Sequence, residues 1–117
     1  MSVKLNVEAF EHAMELLKGK HVVADDGVAW HEHRPSAEKE DQFIRQHGIA
    51  EYAKWYLGID DREAVESKAR YKFPYGDFKN VHRCGIVAVE NKACESEYYA
   101  IELAASELHG MIDAKKM

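Results

Sequence analysis

Residues 70–80, RYKFPYGDFKN, are the feature that most constrains the fold, because they interrupt an otherwise helical pattern. Pro74 disfavours helical backbone at Phe73 and predicts an extended conformation there. The residues Tyr75-Gly76-Asp77 have the composition of a turn. Since helical spacing resumes on both sides of this stretch, we expect a helix-rich α+β protein.

Helical patterns with start or stop signals recur along the rest of the chain. Asn6 is a good N-cap for the first helix and Gly19 a suitable C-cap, and Ser36 caps a second helix that runs to His47. Shorter patterns cover 49–57 and 62–69, and longer ones cover 81–94 and 98–113. The last two are expected to form an antiparallel helical hairpin.

The predicted strands lie between the first two helices and in the interrupting stretch. Residues 21–24 and 28–33 are separated by Asp25-Asp26-Gly27, which is a hairpin signal. Residues 70–73 are the expected third strand. The prediction is therefore a single α+β domain over 1–117, with about five helices on a small antiparallel hairpin or three-stranded sheet.

Composition excludes several classes of protein. The chain of 117 residues is 46% hydrophobic and 32% charged, which argues against disorder. No apolar run approaches the roughly 20 residues of a membrane span, and the first residues, MSVKLNVEAFEH, lack the apolar run of a signal peptide. We therefore expect a cytoplasmic protein without a membrane partner, and the net charge of −5 argues against a general nucleic-acid coat.

The two cysteines are predicted to be free. On one helix, Cys84 and Cys94 would lie roughly 15 Å apart along the axis, whereas a disulfide needs Cα atoms within about 7 Å. Helix geometry also disfavours a reactive pair of Cys84 with His82, because residues two apart on a helix do not face each other.

The strongest functional signal is a segment of alternating basic and aromatic residues, 68–83, in an acidic protein. Its candidate ligand-binding residues are Lys68, Arg70, Tyr71, Lys72, Tyr75, Phe78, Lys79, His82 and Arg83. Cations neutralise phosphates and aromatic rings stack on bases, so the segment is expected to contact an anionic ligand or a nucleic-acid segment without catalysis. The alternative is that the aromatics fill the core while the cations stay solvated.

The histidines are a second candidate site. His31 and His33 would point to the same side of a strand, with His21 on the other arm of the hairpin. Together with Glu32 or Asp25 they could bind a divalent metal and support a metal-assisted hydrolase. The alternative is a solvated polar face, with no cofactor at all. No G-x-S-x-G, P-loop, dinucleotide or H-E-x-x-H motif is present.

The aromatic residues suggest a third possibility, a partner protein or a second copy of the chain. The chain has more aromatic side chains than a small core is expected to bury, among them Trp30, Trp55, Tyr56 and the pair Tyr98-Tyr99. Exposed aromatic side chains are typical of interfaces. The alternative is that most of them are core or rim.

The last half of the chain resembles uncharacterised small proteins of bacteria and prophages. These share a K-x-x-Y-K-F-P core, an R-x-G that opens a helix and an alanine-rich helical ending. In this chain the pattern is carried by Lys68, Tyr71, Lys72, Phe73, Pro74 and Arg83. The resemblance implies no activity and no catalytic residue.

Overall fold

A computed structural model describes residues 3–26 and 29–114, and within them the chain forms an α+β fold. The helices are α1 (Val7–Lys18), α2 (Trp30–His33), α3 (Ala37–His47), α4 (Ile49–Ala53), α5 (Arg83–Glu95) and α6 (Tyr99–Ala114). The strands are β1 (Val3–Leu5), β2 (Val22–Val23), β3 (Tyr56–Asp60), β4 (Tyr71–Pro74) and β5 (Val81–His82). The predicted fold class is confirmed.

Two small sheets organise the fold. The larger has the order β1-β3-β4 and is antiparallel throughout, with Leu5 opposite Gly58 and Lys72 opposite Gly58 on the other side. The smaller joins β2 to β5 in parallel, with Val23 opposite His82. A parallel pair needs a long connection between its strands. Here the connection from β2 to β5 contains β3 and β4 of the larger sheet.

The helices α1, α5 and α6 supply most of the core. The buried residues on α6 are Ile101, Ala104, Ala105, Leu108 and Ile112, which follow the helical spacing that predicts a helix over 98–113. Contacts of Arg83 with Asp113 and of Glu90 with His109 show that α5 and α6 run antiparallel. None of the described helices is both long and apolar enough to cross a membrane.

The capping predictions are confirmed for α1 and α3. The Asn6 side chain accepts the Ala9 N–H, and Gly19 follows the last turn of α1. Ser36 accepts the Lys39 N–H at the start of α3, and Gly48 ends it with a φ of 88°. Both cysteines are free, as predicted.

The predicted hairpin over 21–33 is wrong. Residues Trp30–His33 form α2 instead of a strand, and β2 pairs with β5. Gly27, which ends the predicted turn, and Val28, which begins the predicted second strand, lie outside the described residues. In this helical turn Trp30 is buried, and its indole lies beside His82 with ring centroids 6.0 Å apart.

Two other helical predictions are wrong. The helix predicted over 49–57 ends at Ala53, and Tyr56 and Leu57 begin the central strand β3, where both are buried. Residues 62–69 form no α-helix, and only a short 3₁₀ turn covers Lys68–Arg70.

Phe73 also departs from the expected extended backbone. Its φ is 65°, a left-handed conformation that a non-glycine residue adopts at a cost. Its ring lies against Gly58, where an added Cβ would be 2.7 Å from Phe73 Cδ2, and it meets Tyr98 edge-on at 6.0 Å. Packing of the ring on β3 and on Tyr98, just before α6, therefore outweighs the local preference set by Pro74.

A hydrogen bond between Tyr56 and Glu40 ties the larger sheet to α3. The Tyr56 hydroxyl donates to Glu40 Oε2 at 2.6 Å. Replacing Tyr56 with Phe keeps the buried ring and removes this bond to a charged acceptor, so we expect the free energy of unfolding, measured by urea denaturation, to fall by about 1.5–3 kcal/mol. Tyr99→Phe, at a side chain that is 63% exposed, is the matched control. An equal loss in both variants would contradict the assignment.

Candidate metal centre

The parallel pairing of β2 with β5 brings together the residues that follow each strand. Val23 lies opposite His82, so Asp25, two residues beyond β2, reaches the first turn of α5. There Asp25 Oδ1 accepts the backbone N–H of Cys84 at 2.9 Å. This bond fixes one carboxylate oxygen and leaves Oδ2 facing the side chains that surround it.

Four potential metal ligands converge at this point. They are Asp25, His33, His82 and Cys84, and each offers one ligand atom within 4.8 Å of the others. Asp25 Oδ2 lies 2.8 Å from His82 Nδ1, 2.9 Å from His33 Nδ1 and 3.2 Å from Cys84 Sγ. Cys84 Sγ lies 3.6 Å from His33 Nδ1.

Four of the six separations among these atoms resemble the edges of a tetrahedral zinc site. Typical zinc bond lengths give about 3.3 Å between two nitrogen or oxygen ligands and about 3.6 Å between sulfur and nitrogen. The distance from Cys84 to His33 already has this value, and the contacts of Asp25 need to lengthen by a few tenths of an ångström. Sulfur, two imidazoles and a carboxylate are also ligand types that zinc accepts.

The second nitrogen of His82 is held by another carboxylate. His82 Nε2 lies 2.8 Å from Asp77 Oδ2, and Asp77 Oδ1 in turn accepts the backbone N–H groups of Lys79 and Asn80. A carboxylate behind an imidazole fixes the tautomer and the ring orientation of a histidine that binds metal through its other nitrogen. Nδ1 of His82 is thereby directed at the cluster.

Burial and charge set the protonation of the cluster when no metal is bound. Burial, reinforced by the Asp25 carboxylate, raises the pKa of the Cys84 thiol to about 12. Burial alone would lower the pKa of His82, but its hydrogen bonds to Asp77 and Asp25 outweigh this and raise it. Without a metal, the thiol of Cys84 therefore stays protonated at neutral pH, and the carboxylates on either side of His82 favour the protonated form of its ring.

The raised pKa of Cys84 also bears on nucleophilic catalysis. A catalytic cysteine needs a thiolate at neutral pH, which an electropositive setting provides. Here the nearest charged group is the Asp25 carboxylate, which disfavours the thiolate. The site therefore suits metal coordination, where the cation itself displaces the thiol proton.

Of the three histidines predicted as metal ligands, the structure places only His33 in the cluster. The expectation that His31 and His33 share one face assumed a strand, whereas both lie on the single turn of α2. His31 is exposed beside Glu32, with its Nε2 3.9 Å from Glu32 Oε1. His21 is exposed as well, next to Gly19 at the end of α1.

Several of the cations predicted as one binding surface are bound to different parts of the molecule. Lys68 Nζ lies 2.9 Å from Asp41 Oδ1 and also contacts Glu40, so it is bound to α3. Arg83 pairs with Asp113 on α6 at 2.8 Å. Arg70 donates to the Glu63 carbonyl at 2.9 Å, and His82 belongs to the cluster described above.

The aromatic residues of the segment 68–83 are mostly part of the core. Tyr75 is fully buried and its hydroxyl donates to the Lys54 carbonyl at 2.7 Å. Tyr71 is buried and donates to the Val65 carbonyl at 2.6 Å. Phe78 is partly buried and stacks on Phe43, with ring centroids 4.4 Å apart. Stacking of these rings on a nucleic acid is therefore not supported.

Lys72 and Lys79 are the cations of this segment whose side chains remain exposed. For neither of them does a carboxylate among residues 3–26 and 29–114 come within ion-pair distance. Lys72 lies on β4, at the wall of a cavity described below.

Sequence reasoning weighed Cys84 and His82 together but placed both on a helix, where they would diverge. The structure ends β5 at His82, with φ of −105° and ψ of 128°, and starts α5 at Arg83. The change from strand to helix turns the two side chains toward Asp25. Asp77 was considered only as part of the turn Tyr75-Gly76-Asp77, and no sequence signal marked its role behind His82.

Comparisons with protein-family models, with curated proteins and with solved structures give no match to this chain.

Proposed function

We propose that this protein binds a zinc ion through Asp25, His33, His82 and Cys84, and that the ion has a structural role in a non-catalytic binding protein. The observation that carries the proposal is the convergence of the four ligand atoms within 4.8 Å of one another. The carboxylate of Asp77 behind His82 supports it, because such a partner is the usual companion of a metal-binding histidine.

The number of ligands favours a structural role over hydrolysis. Catalytic zinc sites usually have three protein ligands and keep the fourth position for water, whereas structural sites are closed by four. Here the protein offers four. The ligands also come from segments far apart in the chain, since Asp25 and Cys84 are 59 positions apart, so a bound ion would cross-link β2, α2 and the start of α5.

The ligand set also favours zinc over the hard divalent cations. Magnesium and calcium prefer oxygen ligands and bind thiols and imidazoles poorly. A Cys-His₂-Asp set has one oxygen ligand only. We therefore expect zinc or cobalt to bind and magnesium not to bind.

Direct metal binding tests the proposal. The chain, purified without an affinity tag, is expected to bind one equivalent of zinc in a calorimetric titration. Cobalt should give strong visible bands typical of a tetrahedral site and a near-ultraviolet thiolate-to-cobalt band. Cys84→Ser should remove that band and weaken zinc binding by more than about 100-fold, since loss of a mere supporting residue costs about 10–100-fold.

The second cysteine provides the matched control. Cys94 lies on the same helix as Cys84 but is exposed, so Cys94→Ser should leave the stoichiometry and the cobalt spectrum unchanged. Absence of tight zinc binding by the unmodified chain, or an identical spectrum for Cys84→Ser, would overturn the proposal. The cluster would then be the metal-free network in which His82 is held between two carboxylates.

A further inference from the structure

A second site is indicated by a cavity of about 580 Å³ between the larger sheet and α5. This volume lies within the range of pockets that hold small molecules. Its wall combines residues from β1, from the α2 segment, from the end of β3, from β4 and from α5. No residue of the proposed zinc cluster is among those that line it.

Four cations from four separate segments line this cavity. They are Arg34, Arg62, Lys72 and Lys92. Asp60 supplies a carboxylate to the wall, and Arg62 forms a bidentate ion pair with it. Nε lies 3.0 Å from Oδ1 and Nη2 lies 2.9 Å from Oδ2. These hydrogen bonds lower the pKa of Asp60 to about 2, so its carboxylate is ionised and offsets the charge of Arg62.

The other three cations form no ion pair within the described part of the chain, although the charge of Lys72 acts on Asp60 from a longer distance. Within residues 3–26 and 29–114, no carboxylate lies within ion-pair distance of Arg34, Lys72 or Lys92. In a chain of net charge −5, cations that gather around one cavity instead of pairing with the abundant carboxylates create a local positive potential. Such a potential attracts an anion.

The rest of the wall is apolar and partly aromatic. Trp30, Phe73 and Val89 contribute apolar surface, and Tyr98 meets Phe73 edge-on with ring centroids 6.0 Å apart. Aromatic walls favour a flat, apolar group, which can stack on or against the rings. The cavity therefore offers both charge for an anionic group and surface for a ring.

We propose that this cavity binds a small phosphate ester that carries a flat aromatic ring, the chemistry of a nucleoside monophosphate. The phosphate would lie among Arg34, Lys72 and Lys92, because guanidinium and ammonium groups are the preferred partners of phosphate. A mononucleotide suits the volume and the charge better than a polymer, since the acidic remainder of the chain repels a long polyanion. The proposal does not depend on the zinc centre.

Titration with three probes tests this inference. AMP, inorganic phosphate and adenosine are each titrated into the full chain, without added metal, and binding is followed by calorimetry and by tryptophan fluorescence, to which Trp30 in the wall should contribute. We expect AMP to bind at least tenfold more tightly than either of the other two. Its affinity should also fall as the salt concentration rises.

Charge-removing variants locate the site. Lys72→Gln and Lys92→Gln, both at exposed positions, are each expected to weaken AMP binding by at least fivefold. Lys39→Gln on α3, equally exposed and not part of the cavity wall, is the control and should leave binding unchanged. AMP binding no tighter than that of phosphate or adenosine, or equal weakening by Lys39→Gln, would overturn the proposal.

Discussion

Saturating zinc is expected to raise the free energy of unfolding by about 4 kcal/mol at a free concentration 1,000-fold above the dissociation constant. The physical reason is that the four ligands are assembled only in the folded chain, so that binding energy becomes folding energy. For a domain of this size, the melting temperature should rise by more than about 10 °C. Thermal unfolding, with zinc added and with zinc removed by a chelator, measures the effect.

The two histidines of α2 supply the control for this stabilisation. His33→Ala removes a ligand whose side chain is 39% exposed, so the core stays intact, and the zinc-dependent part of the stability should be almost lost. His31→Ala removes an exposed neighbour on the same turn and should retain the full effect. A melting temperature that does not respond to zinc, or an equal loss in both variants, would contradict the expected coupling.

Replacing Gly85 with Ala is expected to destabilise the protein by about 2–3 kcal/mol, because the helix has no room for a side chain there. An added Cβ would lie 2.6 Å from the backbone carbonyl oxygen of Tyr75 and 3.0 Å from the indole of Trp30. The Tyr75 carbonyl cannot move freely, since it accepts the His82 N–H at 3.1 Å. The same substitution should therefore displace a zinc ligand and weaken zinc binding.

A second helical glycine gives the opposite expectation. Gly110 lies on α6, and an added Cβ would meet no atom within 4 Å. Because Ala is the better helix former, Gly110→Ala should raise the free energy of unfolding by about 0.5–1 kcal/mol. Chemical denaturation of both variants checks the pair. No loss of stability in Gly85→Ala would show that the close approach at Tyr75 does not limit the fold, and a loss in Gly110→Ala would contradict the open space found at that position.

The helices predicted correctly are those whose limits depend on local chemistry. Asn6 and Ser36 each satisfy a free N–H in the first turn of the helix that follows, an interaction that needs no knowledge of the remaining chain. The stripe on α6 is equally local, because helical spacing alone places Ile101, Leu108 and Ile112 on one face.

The predictions that failed concern segments whose conformation depends on distant partners. Tyr56 and Leu57 have helical neighbours in sequence but become the centre of a sheet, because β1 and β4 pair with β3 on both sides. Nothing within a few residues of Tyr56 signals these partners. The same reason explains why 28–33 was predicted as the second arm of a hairpin, when β2 pairs instead with a strand almost 60 positions away.

The candidate site was predictable only in its parts. Asp25 and His33 were considered in one hypothesis and His82 and Cys84 in another, and the proximity of the two pairs depends on the pairing of β2 with β5. The basic segment 68–83 contributed Lys72 to the cavity, whereas Arg34, Arg62 and Lys92 come from elsewhere in the chain. The clustering of basic residues along the sequence therefore did not predict which cations lie together around the cavity.

The two-residue pairing of β2 with β5 also has a kinetic consequence. Contacts between residues so far apart in the chain close a long loop at an entropic cost, and we expect so short a pairing to form only after the folding transition state. Interactions absent from the folding transition state affect the rate of unfolding and hardly affect the rate of folding. We therefore expect the hydrogen bonds between Asp25 and Cys84 to slow unfolding more than they speed folding.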